Sequence, residues 1–331
     1  MPKIAVIIPT YNRAQIITES IVSVLHQTFK DFELIVVDDG STDNTKEVVA
    51  NINDHRIRYI YQNNHGASAA RNAGIKASTS EYVAFLDSDD FYVDNAVEKA
   101  INCLESHPNV GFSYGQCYVS RLGGNIYRTR KSAFHDNSTI IEPFMQIREL
   151  LLICPITLSS LTVRRRCFDE VGIFNEDLFF GEDFHMFIRL AKKYPAFYIA
   201  EPLITQTVHD DSLRHTIIKP GGDKAFPLIL QEIFNDPAIA PNFSDIKNST
   251  YSHYYSEWIM LSYWGTNMKL ARKYLRMAVQ CYPQVVVSRR GLYIFYKYIA
   301  SFLPDKIRIG LRNIKRRFKY TMEEQEANNL L

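Results

Sequence analysis

The segment Tyr82-Val83-Ala84-Phe85-Leu86-Asp87-Ser88-Asp89-Asp90 decides how this chain folds. Five apolar residues run without alternation, as in a strand covered on both faces, and stop abruptly at four polar ones. In an extended segment alternate side chains share a face, so Asp87 and Asp89 can present two carboxylates to one ligand. Two hard oxygen donors on a sheet edge suit Mg2+ or Mn2+ held jointly with a substrate diphosphate. The plainer reading of the same residues is a polar turn that closes a buried strand.

The pattern repeats upstream. Ile4–Ile8 is a continuous apolar run ending in Pro9-Thr10-Tyr11-Asn12-Arg13. Leu34–Val37 ends in Asp38-Asp39-Gly40-Ser41-Thr42, and Ile57–Tyr61 is followed by Asn63-Asn64-His65. Helices are predicted between these strands: over 14–27, where Ile17, Ile21, Val24 and Leu25 recur at helical spacing, over 43–52, and over the alanine-rich 66–77. Downstream, Asp94 is placed to cap a helix whose Val97, Ile101 and Leu104 share a face. Strands alternating with helices predict a parallel sheet with right-handed crossovers. Ligands of such sheets bind outside the carboxyl ends of the strands, and here four polar strand ends converge on one edge.

From about 110 to 220 the pattern becomes mixed, with short strands, loops and one clear helix at 183–193. Residues 224–288 read as helical, with amphipathic stretches around 250–264 and 268–281, and Pro220-Gly221-Gly222 is the best boundary between these regions.

Four further candidates carry chemistry. Asp39 follows a buried strand, where a carboxylate can accept hydrogen bonds from a base or ribose, although Asp-Gly is also a common turn pair. Arg71 lies in a segment with few other charges and can meet a phosphate bidentately, or equally be a solvated helix arginine. Glu182-Asp183 opens a helix, where acids are favoured by the macrodipole, and a carboxylate there can also serve as a general base. His209, in Val208-His209-Asp210-Asp211-Ser212, is a candidate metal ligand or phosphate contact and otherwise an ordinary surface or core histidine.

Composition narrows the class. With 46% hydrophobic and 22% charged residues, the 331-residue chain is neither disordered nor collagen-like. Five scattered cysteines without a CxxC pair speak against a disulfide framework or zinc site and fit a reducing compartment. The chain contains no G-x-G-x-x-G, G-x-x-x-x-G-K-[ST], H-E-x-x-H or G-x-S-x-G. Dinucleotide dehydrogenases, P-loop NTPases, zinc proteases and α/β-hydrolases are thereby disfavoured.

Taken together, the segments resemble the family 2 glycosyltransferases of the GT-A fold. The matching stretches are Val6–Arg13, Ile35–Asp43, Asn64–Gly74, Phe85–Asp90, Val171–Phe174 and Glu182-Asp183, in the family's order over residues 4 to about 215. The resemblance implies an α/β fold: a Rossmann-like nucleotide-sugar-binding domain with a mixed sheet, then a mostly α-helical C-terminal region. It places the glycosyltransferase domain at 1–219, with a nucleotide-sugar half to about 110 and an acceptor half from about 111. The helical region follows at 220–288 and a basic amphipathic tail at 289–331. It implies inverting transfer of a sugar from a nucleotide-sugar, a UDP-sugar, to the hydroxyl of a glycan or lipid-linked acceptor in cell-surface polysaccharide, lipopolysaccharide or glycolipid synthesis. By that analogy Pro9, Thr10, Tyr11 and Arg13 line the nucleotide site, Asp39 bonds the base, and Arg71 lies near base or phosphates. Asp87 contacts ribose or metal, Asp89 ligates Mn2+ or Mg2+, Asp183 is the general base and Glu182 orients the acceptor. Where many members have a second acid two residues after the base, this chain has His185. It also lacks the Q-x-x-R-W of processive synthases, which favours single transfers. The competing readings are a nucleotidyltransferase and a non-catalytic sugar-nucleotide-binding or membrane scaffold protein.

The formal charge of +2 hides a division. Residues 289–320 hold ten Lys and Arg against one acid, Asp305, interleaved with aromatic and aliphatic side chains, while the preceding body is mildly acidic. Such a segment suits an anionic membrane surface, or a docked helix with a solvated basic face. The acidic body and the lack of a binding motif speak against nucleic acid. The N-terminus offers five apolar residues before Pro9, too few for a signal peptide. The expectation is a cytoplasmic protein, either free or held on the cytoplasmic face of the membrane.

Overall fold

The computed structural model describes residues 1–121, 125–178, 180–208, 225–264 and 268–283. The chain divides into two compact units, Met1–His209 and Asp210–Leu331. His209, the 220–222 boundary and the basic segment 289–320 lie outside the described residues.

The first unit is built on one mixed sheet. Strands β1 (Ile4–Thr10), β2 (Phe32–Asp38), β3 (Ile57–Tyr61) and β4 (Tyr82–Phe85) alternate with helices α1 (Ile17–Leu25), α2 (Thr45–Ala50) and α3 (Ala67–Ala77). These four strands pair in parallel in the order β3-β2-β1-β4, and all seven β1 residues are buried, as an apolar run covered on both faces requires. Helix α3 lies close on β1: a Cβ at Gly74 would come within 2.5 Å of Ile7 Cγ2. Only glycine permits that approach.

The sheet then changes direction. A short β5 (Phe91–Tyr92) leads to α4 (Ala96–Ser106), then β6 (Phe112–Arg121), β7 (Ile126–Arg130) and β8 (Thr139–Ile141). Helix α5 (Pro143–Leu152) precedes β9 (Thr162–Arg164), which is followed by α6 (Arg165–Val171), α7 (Glu182–Lys193) and β10 (Ala196–Val208). Strand β9 inserts antiparallel between β4 and β6, so the sheet continues β4-β9-β6-β10-β5. Helix α4 starts one residue later than its sequence cap implied: the N-cap residue is Asn95, with no side-chain cap bond. The buried Gln27 side chain of a distant segment accepts the Val97 N–H instead, at 3.0 Å.

The second unit is helical as far as it is described, with α8 (Ala225–Asn235), α9 (Lys247–Trp264) and α10 (Met268–Cys281). Aromatic side chains hold it together: Phe226 stacks on Tyr254 at 4.6 Å, Phe234 meets Tyr251, and Tyr255 and Trp258 pack on Tyr274. Thr250, Ser252 and Ser256 are buried along with Tyr254, Tyr255, Trp258 and Ile259. Helix α9 therefore buries more of its circumference than the single stripe read from its sequence. No described helix is long and apolar enough to cross a membrane.

Candidate active site

The carboxyl ends of β1 and β2 are laced into one surface. The Asp39 N–H donates to the Thr10 carbonyl at 2.9 Å. Asn12, with φ +53°, turns the chain so that its Oδ1 accepts the Thr42 N–H at 2.7 Å, while its own N–H donates to Ser41 Oγ at 2.8 Å. The Arg13 N–H donates to Thr45 Oγ1 at 3.0 Å. Pro9, Thr10 and Arg13 are thus fixed by their backbones, with Thr10 buried and Tyr11 exposed.

Asp38 and Asp39 are both buried and both satisfied. Asp38 accepts the Ser41 N–H at 2.8 Å and the Tyr59 hydroxyl at 2.6 Å. Burial first, and then Asp38, push the Tyr59 phenol upward. Asp39 accepts Gln62 Nε2 at 2.7 Å and the His65 N–H at 3.0 Å on one oxygen, and the Gly66 N–H at 2.7 Å on the other. The Asp39 carboxylate thereby fixes the loop that enters α3. Gly40, at φ +84°, makes the turn between them, and a Cβ there would lie 2.8 Å from Asn64 N.

The centre of the site is a buried guanidinium. Arg71 of α3 donates to Asp87 Oδ1 at 2.9 Å, beyond the end of β4, and to Glu182 Oε1 at 3.0 Å, on the first turn of α7. Its plane lies 5.6 Å over the Phe174 ring, which meets Phe85 edge-on. Asn72, next along α3, fixes the Phe174 loop by both ends of its amide: Oδ1 accepts the Phe174 N–H at 2.8 Å, and Nδ2 donates to the Phe174 carbonyl at 2.9 Å and to Glu176 Oε1 at 2.8 Å. From α7, Arg189 donates to the carbonyls of Val171 and Ile173. Val171–Phe174 is thus the bed on which Arg71 rests.

Three acids crowd the end of β4. Asp87 is 39% exposed at its side chain, Asp89 is half-buried, and Asp90 is fully buried. Ser159, in a short 3-10 turn, holds this loop: its Oγ accepts the Asp87 N–H at 3.1 Å and donates to Asp90 Oδ2 at 2.7 Å. Asp90 Oδ1 accepts the Thr207 N–H of β10 at 3.0 Å. Burial, together with the charges of Asp87 and Asp89, lifts the Asp90 carboxyl well above its ordinary range. Burial and the charge of Asp183 push Glu182 up to about 7 against the pull of Arg71. Asp183 is also raised, by burial foremost and by Asp87, although the Phe184 N–H bonds its Oδ1 at 2.6 Å. Among the described residues no three His, Cys, Asp or Glu side chains are arranged so that they could hold a metal ion by themselves. A divalent ion would therefore draw on Asp87, Asp89 and the oxygens of a bound diphosphate, and this excess of negative charge fits one.

The structure thus gathers Arg71, Asp87, Glu182 and Asp183 into one network and sets Asp89 beside it, with Pro9–Arg13 and Asp39 on the neighbouring strand ends. Asn72, Asp90, Ser159 and Arg189 were not anticipated as contributors. Asn72 and Asp90 fall within the matched motifs without a role being read for them, and Ser159 lies in no motif.

Mixed-sheet topology with an acid-rich edge beyond β4 defines a GT-A fold. The family model for glycosyl transferase family 2 matches residues 5–172, and the chain belongs to that family. An uncharacterized glycosyltransferase of Rickettsia felis is 37% identical over 192 residues, which is 58% of this chain and 30% of that protein. The GalNAc(5)-diNAcBac-PP-undecaprenol beta-1,3-glucosyltransferase of Campylobacter jejuni is 31% identical over 205 residues, 60% of this chain and 62% of that protein. Among solved structures, S. aureus TarS 1–349 in complex with UDP-GlcNAc superposes with a TM-score of 0.59 at 20% identity, over 91% of this chain and 89% of that one. The mannosyltransferase PcManGT of Pyrobaculum calidifontis, in complex with GDP-Man and Mn2+, gives 0.55 at 19% identity, over 93% of this chain and 82% of that one. At these identities the structures speak for the fold.

Proposed function

We propose that the chain transfers a sugar from a UDP-sugar to an acceptor hydroxyl with inversion at the anomeric carbon. The observation that carries this reading is the Arg71 bridge, which brings the acidic end of β4 and the acid pair of α7 to one point. Pro9, Thr10, Tyr11, Arg13 and Asp39 line the nucleotide side. Asp89 and Asp87 would hold Mn2+ or Mg2+, which when bound neutralises charge on the leaving diphosphate.

Asp183 is the general base. An acceptor hydroxyl is a poor nucleophile, so its proton must leave as the oxygen attacks. Burial raises the basicity of Asp183, and the Phe184 N–H orients its carboxylate. The proton passes to Asp183, the acceptor oxygen bonds to the anomeric carbon, and the electron pair of the breaking bond departs with the nucleoside diphosphate. Glu182, held by Arg71, orients the acceptor. Family membership decides against the nucleotidyltransferase reading.

The acceptor is a glycan or a lipid-linked glycan of cell-surface polysaccharide, lipopolysaccharide or glycolipid synthesis, a reading supported by the undecaprenol-linked substrate named for the Campylobacter relative. The basic segment 289–320 would hold the enzyme at the anionic cytoplasmic face of the membrane. Nucleotide release from a panel of UDP-, GDP- and dTDP-sugars with Mn2+ tests the donor reading. UDP released by the wild type and not by Asp183→Asn supports it, whereas release only from another nucleotide class overturns the UDP assignment.

A further inference from the structure

The β6–β7 hairpin carries Arg121, Arg128, Arg130 and Lys131, with no acid between residues 121 and 131. Strand β6 runs parallel to β4, because each is antiparallel to β9. It pairs β9 only at Phe112 and Ser113 and continues to Arg121, so its second half passes the carboxyl end of β4, where the Asp87–Asp90 loop begins. Strand β7 returns along that half, Arg130 opposite Cys117 and Arg128 opposite Val119. Being alternate strand residues, the two arginines share a face.

Contacts tie this hairpin to the site. Arg130 Nη1 donates to Thr157 Oγ1 at 3.4 Å, and the Thr157 carbonyl accepts both the N–H and the hydroxyl of Ser160. Ser159, within the same turn, anchors Asp87 and Asp90. Cys154 lies within electrostatic reach of both Asp183 and Arg130: burial and Asp183 push its thiol up to about 12, while Arg130 pulls the other way. In the sheet order β2-β1-β4-β9-β6, the strand ends assigned to the nucleotide lie on one side of β4 and the cationic hairpin on the other.

We propose that Arg128 and Arg130 form an anion subsite for a phosphate group of the acceptor. This rests on the donor and acceptor sides assigned above. An acceptor bearing phosphate meets Asp87, Asp89, Glu182 and Asp183, whose charges repel it. Two guanidiniums offset that repulsion and, as planar donors, match phosphate oxygens bidentately.

The test saturates the full chain with UDP and Mn2+ and titrates sn-glycerol 3-phosphate calorimetrically, with glycerol as the neutral control. Saturable phosphate binding, no response to glycerol, and about tenfold or greater weakening in the Arg128→Gln/Arg130→Gln variant are expected, with UDP affinity within about twofold of wild type. The Arg128→Lys/Arg130→Lys variant should recover part of the affinity, and matching thermal melts exclude misfolding as the cause. No phosphate binding by the wild type, or unchanged binding in the glutamine variant, overturns the proposal. A loss of UDP affinity in that variant overturns it too, since the arginines would then serve the donor diphosphate. If the wild type binds no UDP, the donor reading fails by itself, and the same titration of the unliganded chain still decides the subsite.

Discussion

Two carboxylate clusters lie at the ends of β2 and β4, on either side of β1, and are solved in opposite ways. At the end of β2, Asp38 and Asp39 receive five neutral donors, from Ser41, Tyr59, Gln62, His65 and Gly66. Beyond β4, Asp87 shares one buried guanidinium with Glu182, while Asp89, Asp90 and Asp183 lie within electrostatic reach of that pair, and three of these five acids are pushed upward by burial and by one another. The first cluster is complete as it stands and fixes loops. The second holds like charges together at a cost that a bound cation would relieve. Residue type alone does not separate a scaffold carboxylate from a reactive one; the identity of the donors around it does.

The comparison breaks most visibly in catalysis. Asp183→Asn should lower turnover by about 10²–10⁴-fold while UDP affinity is retained, because it removes the proton acceptor and little else. Unchanged turnover would move the base elsewhere. Next in size is Arg71→Gln, which leaves Asp87 and Glu182 without their buried cation and should cost about 3–5 kcal/mol in urea unfolding. Protonation of Glu182 relieves part of that, so the deficit should be larger at pH 8 than at pH 5.5. A deficit independent of pH would mean that Arg71 acts by packing on Phe174 rather than by charge. Smaller again is Asp39→Ala: the His65 and Gly66 N–H groups lose their acceptor, at about 1–3 kcal/mol in the same urea unfolding measurement.

The two clusters also differed in how far the sequence revealed them. The parallel half of the sheet was legible because β1, β2 and β4 are continuous apolar runs that end in polar residues, a pattern local to each strand. The joining of Asp87 to Glu182 was not, since Arg71 and Glu182 are 111 residues apart and the family resemblance placed Arg71 near base or phosphates. The Ser159–Asp90 bond, 69 residues apart, has no local signature either. Asp94 illustrates the same limit. A cap read from neighbouring residues was displaced by Gln27, whose amide reaches α4 only after the chain has folded. The hairpin arginines were not singled out in the sequence, because their place beside the site follows from the direction of β6, which the antiparallel insertion of β9 sets.

The smallest expected effect tests the second cluster without any ligand. Glu182 rises from the ordinary glutamate value of 4.5 to about 7 on folding, so the folded state binds more protons than the unfolded one between those limits. Stability must then fall as the pH rises through that interval, the opposite of the trend set by Asp54, which Arg56 holds at about 2 and which loses its contribution only in strong acid. Glu182 is 18% exposed at its side chain and paired to Arg71, so its share should be on the order of 1 kcal/mol. Urea midpoints from pH 4.5 to 7.5 should therefore decline more steeply for the wild type than for Glu182→Gln, which cannot ionise. Equal slopes would mean that Asp183 and Asp90 carry the excess proton between them and that Glu182 is ionised throughout. Added Mn2+ and UDP should flatten the wild-type slope, because a cation among these carboxylates lowers all of their proton affinities together.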